Sequence, residues 1–144
     1  MNLGRVLLLT LALPITAQAC PGLEVHAAWV REPPPGSPGT AAFMQLHNAG
    51  TSPLTLTQWH SPQFGMTMLH ATEVIDGEAR MRAPAPLSLP PGTDVTLAPG
   101  GLHLMLMKPV QSLHEGDLVS SEINCGPHAQ IFALPVRRAP PAAP

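Results

Sequence analysis

Proline recurs so often in this chain that a long helix has nowhere to run. Nineteen of the 144 residues are proline, spread from Pro14 to Pro144. Inside a helix each one removes a backbone donor and clashes with the preceding turn. Short strands between turns tolerate that spacing, and no stretch sustains a 3.6-residue apolar period or an internal repeat. The expected strands are Leu23–Arg31, Thr40–His47, Leu54–His60, Met66–Ile75, Glu78–Arg82, Asp94–Ala98, Leu102–Met107, Asp117–Ile123 and Ala129–Val136. Ala83–Pro91 reads as a proline-rich connection. Eight or nine short strands at this spacing predict an all-β antiparallel sandwich. With 44% hydrophobic and 11% charged residues, the composition is that of a folded chain.

The N-terminus reads as an export signal spanning residues 1–19. A short basic start ends at Arg5, an apolar run covers Val6–Ala12, and Ala17-Gln18-Ala19 supplies the A-x-A pattern before Cys20. The run is too short to span a bilayer as a stable helix. The folded domain is expected over residues 20–136, with a short Ala/Pro tail over 137–144. Without Arg5 the chain has six Lys and Arg against nine Asp and Glu, a net charge of −3. That balance argues against a nucleic-acid partner, which needs a basic face.

The chemistry is concentrated in Gly100-Gly101-Leu102-His103-Leu104-Met105-Leu106-Met107. In a strand, Leu102, Leu104 and Leu106 point to one face, and His103, Met105 and Met107 to the other. The leucine face suits a core. An imidazole and two thioethers suit a soft metal ion, Cu(I) before Mg(II) or Ca(II). A second stretch supplies more donors. Asp76-Gly77 is a strong two-residue hairpin signal, which pairs Ile75 with Glu78 and Thr72 with Met81. His70 then lies diagonal to Met81 on one face, about 7–8 Å away, and Met66 and Met68 share that face. Isolated Met and His residues usually serve packing, and Met44, His26, His47, His60 and His114 are read so. His70, Met81, His103 and Met105 are the candidate metal ligands.

The spacing of these four residues, with Met68-Leu69-His70, Arg80-Met81-Arg82 and Pro99 to Met107 around them, resembles the signature of the PCuAC copper chaperones. Ala28-Trp29-Val30-Arg31 and the proline-rich loop after it are also similar, so the resemblance covers about Leu23 to Val136. It implies a cupredoxin-like antiparallel Greek-key sandwich; a monomer is expected, and not an enzyme, since no nucleophile with a supporting base can be placed in the sequence. The domain would bind one Cu(I) at a surface site formed by His70, Met81, His103 and Met105. Its cargo would pass towards the binuclear copper centre of cytochrome oxidase, by way of the oxidase copper subunit or a Sco-type copper-handling protein. Position 79 is Ala, where many relatives have another Met, and the His/Met-rich C-terminal tail of some members is missing.

Cys20 and Cys125 leave two readings open. In an oxidising compartment such as the periplasm, a pair is most simply a disulfide; the alternative is a lipid anchor at Cys20. Cys125-Gly126-Pro127-His128 also looks like the ligand loop of a blue-copper electron carrier, although no Met follows it to serve as axial ligand. A metal-free assembly module is the third class.

Overall fold

The computed structural model describes residues 19–83 and 86–142. The expected signal segment up to residue 18 and the last two residues of the tail lie outside it. No helix occurs among the described residues, and therefore none long and apolar enough to cross a membrane. The strands are β1 (Leu23–Arg31), β2 (Gly39–Asn48), β3 (Leu54–His60), β4 (Phe64–Ile75), β5 (Glu78–Arg82), β6 (Leu87–Leu89), β7 (Asp94–Leu97), β8 (Leu102–Pro109), β9 (Leu118–Cys125) and β10 (His128–Arg137).

They pair in the order β5-β4-β8-β2-β1-β10-β9-β3-β6, with β7 also on β2. All pairings are antiparallel except β1 with β10, where Val30 and Arg31 run parallel to Val136 and Arg137. That pair joins the two layers of the sandwich. β6 was expected to be irregular, because prolines flank it. Its three residues nonetheless pair with β3, and Leu89 enters the core. A proline beside a short edge strand removes no ladder donor the sheet requires.

The core forms between the layers from residues that alternate inward, among them Val30, Ala42, Leu46, Leu104, Leu106, Val119, Ile123, Leu134 and Val136. Met44 belongs to it, as expected of a packing methionine. The four histidines read as packing residues do not: His26 and His47 bond to Glu24 and Asp94 near the surface, and His60 and His114 are exposed.

Strict alternation fails in β1. Two residues, Ala27 and Ala28, stand against one on β2, and Ala27 has a φ of 48°. This bulge inverts the alternation, so Val30 points into the core while Trp29 points to the outer face of β1–β2.

Cys20 and Cys125 form a disulfide across a sequence separation of 105. It ties the start of the described chain to the β9–β10 turn.

Candidate metal centre

β4 is the strand on which this end of the sheet is assembled. Its length lets it pair with β8 along one edge and, over Ala71–Ile75, with β5 along the other. The Asp76-Gly77 turn is as expected, with φ of 53° and 80°. Both central residues of such a turn need the left-handed region, which Gly and Asp tolerate best. Ile75 therefore meets Glu78, and Thr72 meets Met81.

The β4–β8 register could not be read from either segment alone. His70 lies directly opposite His103, Met68 opposite Met105, and Met66 opposite Met107. The imidazole rings stand edge to face with centroids 5.9 Å apart. The structure thus brings His70, His103 and Met105 together on one outer face, with Met81 one strand over. Met81 is 63% exposed and forms the open side, whereas His103 is only 8% exposed.

The two histidines are prepared in different ways. Nδ1 of His103 lies 2.9 Å from the Gly101 carbonyl, which can only accept a hydrogen bond. The ring donates there, which leaves the Nε2 lone pair free for a metal. The same carbonyl accepts the backbone N–H of Thr72 at 3.2 Å. Gly100, with a φ of 84°, makes the turn that sets this carbonyl. Nδ1 of His70 is buried with no hydrogen-bond partner. Burial first, and the neighbouring His103 second, hold the His70 pKa below the ordinary imidazole value. Both effects favour the neutral ring that a metal requires. An orphaned buried nitrogen, a second imidazole locked in one tautomer and adjacent thioethers suit a soft, monovalent cation.

The hairpin keeps charge off this face. Arg82 pairs with Glu73 at 2.6 Å and Arg80 with Glu78 at 3.4 Å. By alternation these four point away from Thr72, Val74, Ala79 and Met81.

The sequence reading gave no role to Trp29, Phe43 or the Gly101 carbonyl. Trp29 and Phe43 pack at a tilt of 41° with ring centroids 5.0 Å apart, and the Arg31 guanidinium lies 5.2 Å from the Phe43 centroid. Both rings are buried yet stand outside the main core. Phe43 is two residues on from Ala41, the partner of Met105, so the pair forms an aromatic wall on the site face. The signal available was the Ala28-Trp29-Val30-Arg31 segment, whose outward Trp depends on the bulge. No group of three or more His, Cys, Asp or Glu residues among those described could hold a metal ion. On this face the donors beside the two imidazoles are thioethers.

The fold defines a class, the cupredoxin-like sandwich of PCuAC domains. The apo PCuAC domain from PmoF1 superposes with a TM-score of 0.70 at 22% identity, covering 86% of this chain and 100% of that one. At that identity the likeness concerns the fold. The Cu(I) form of DR1885 from Deinococcus radiodurans is 30% identical, with a TM-score of 0.66 over 85% of this chain and 82% of that one. Residues 23–129 match the family described as "Putative lipoprotein LpqE-like". A relative from Leifsonia xyli subsp. xyli (strain CTCB07), "Putative lipoprotein Lxx21020", is 34% identical over 113 residues, 75% of this chain and 67% of its own length. This chain belongs to the LpqE-like family of the PCuAC type.

Proposed function

We propose that this protein is an exported Cu(I) carrier. It holds one ion between His70, Met81, His103 and Met105, and releases it towards the binuclear copper centre of cytochrome oxidase. The observation that carries the reading is the His70–His103 rung, with an unpartnered Nδ1 on one ring and a fixed tautomer on the other. The copper held by the DR1885 relative supports the choice of ion. Two imidazoles and two thioethers are neutral and soft, and they offer no thiolate to be oxidised or to hold the ion too tightly. Through the exposed Met81 side, a thiolate-bearing acceptor, the oxidase copper subunit or a Sco-type protein, would take the ion by ligand exchange. The domain, residues 20–136, acts as a monomer and carries its cargo without catalysis.

The disulfide weighs against the blue-copper alternative, because a disulfide-bonded Cys125 offers no thiolate beside His128. It also bears on location. One sulfur cannot hold both a disulfide and a thioether-linked lipid, so the two forms are alternatives: an exported protein closed by the disulfide, in the periplasm or at the outer face of the membrane, or one anchored at Cys20 with Cys125 left as a thiol. An anaerobic titration with Cu(I) against a competing chelator tests the function. One tightly bound equivalent is expected; failure to compete would leave the metal-free assembly module as the better reading.

A further inference from the structure

We propose that the outer face carries a second, all-thioether Cu(I) position formed by Met66, Met68 and Met107, beside the His70–His103 pair and bordered by Met105. The proposal rests on the reading of the first site given above. Two successive rungs of the β4–β8 ladder set methionine against methionine, Met68 with Met105 and Met66 with Met107. Side chains directly opposed across such a pair begin about 5 Å apart, and the next rung on the same face is about 7 Å along. Four thioethers, each on three rotatable bonds, stand around a rectangle small enough for them to meet at its centre.

Packing does not account for Met66 on the outer rung. A methionine that fills a gap is covered, and Met66 is 40% exposed. On the β2 side the same two rungs end in Gly39, opposite Met107, and Ala41, opposite Met105. The Met107 sulfur rests over Gly39, where an added Cβ would collide with it. β2 thus lacks side-chain bulk where a thioether needs room, and rotation of Met107 carries its sulfur from Gly39 towards Met66. None of the six residues on these rungs across β2, β4 and β8 has a charge or a hydroxyl group. Such a donor set selects a soft monovalent cation and offers little to Zn(II) or Mg(II).

The second position lacks imidazole, and it holds the ion more weakly than the first. It serves as a staging point. Cu(I) passes between the rungs by exchanging one thioether at a time, with Met68 and Met105 standing between the positions and no change of oxidation state.

The test is an anaerobic Cu(I) titration of the purified protein carrying methyl-13C methionine, followed by NMR alongside chelator competition. The Met81 and Met105 methyl signals should move during the first equivalent, and those of Met66 and Met107 during a second, weaker one. The volume-conserving double variant Met66→Leu/Met107→Leu should lose the second equivalent and keep the affinity of the first. The proposal is overturned if the parent saturates at one equivalent, if Met66 and Met107 respond with the first, or if the double variant retains the second. Failure of the first-site reading looks different: Met81 and Met105 would stay silent throughout the titration.

Discussion

His70 and His103 face each other across two strands, yet their surroundings give them separate tasks. His103 is fixed by the Gly101 carbonyl, whereas His70 keeps an unpartnered nitrogen and a lowered pKa. In the unfolded chain His70 returns to the ordinary value, about 6.5. As pH falls, the unfolded state therefore takes up the proton first. The stability linked to neutral His70 is complete above that value, and it is lost as pH falls through the folded value. The urea midpoint of the metal-free protein should drop as pH falls below about 6.5, and His70→Gln should flatten that slope. An identical slope in the variant would assign the effect to other groups. The thioethers give a second prediction at this scale. Met81→Ala and Met105→Ala should each weaken Cu(I) binding sharply without disturbing the fold, and Zn(II) should bind the parent far more weakly than Cu(I). Leu104→Ala should do the reverse. It removes a fully buried side chain at a cost of about 2–5 kcal/mol, with a smaller effect on chelator competition. Parent-like Cu(I) binding by both methionine variants would remove them from the site.

Among the elements, the β4–β5 hairpin has the clearest separate role, because it alone delivers Met81. Its turn needs a positive φ at Gly77, where an L-residue costs about 1–2 kcal/mol. Gly77→Ala should lower the thermal midpoint and loosen Cu(I) binding together, since the register that sets Thr72 against Met81 begins at this turn. A lower midpoint with unchanged binding would separate the turn from the placement of Met81. This hairpin was legible from sequence because both its determinants are local: a two-residue turn signal and a period of two. The β1 bulge was not. Alternation counted from Leu23 would send Trp29 inward with Val25. Whether an extra residue is inserted depends on what β2 presents opposite, and the chain around Ala27 does not encode that locally. β6 was missed for a related reason, because its prolines read as breakers until β3 supplied an edge to pair with.

For the molecule as a whole, the disulfide is the longest-range covalent constraint. Closing a loop of this length limits the unfolded chain strongly, and losing such a bond typically costs about 2–5 kcal/mol. Cys125→Ser should lower stability by about that amount while leaving Cu(I) affinity intact, since neither cysteine lies on β4, β5 or β8. The native oxidised protein should show no titratable thiol; two would end the pairing, and added lipid mass would place Cys20 in the anchored form. The sequence by itself determined that the chain would be short strands, that Leu104 and Leu106 would face a core, and that His103 and Met105 would share the opposite face. Proline spacing, strand alternation and turn chemistry act over a few residues and need no partner. Only the tertiary structure decided that His70 stands opposite His103, that β1 closes in parallel on β10, and that Cys20 reaches Cys125. Each is a pairing between distant segments, selected by burial of both faces of the sandwich at once, and no window of the sequence contains both partners.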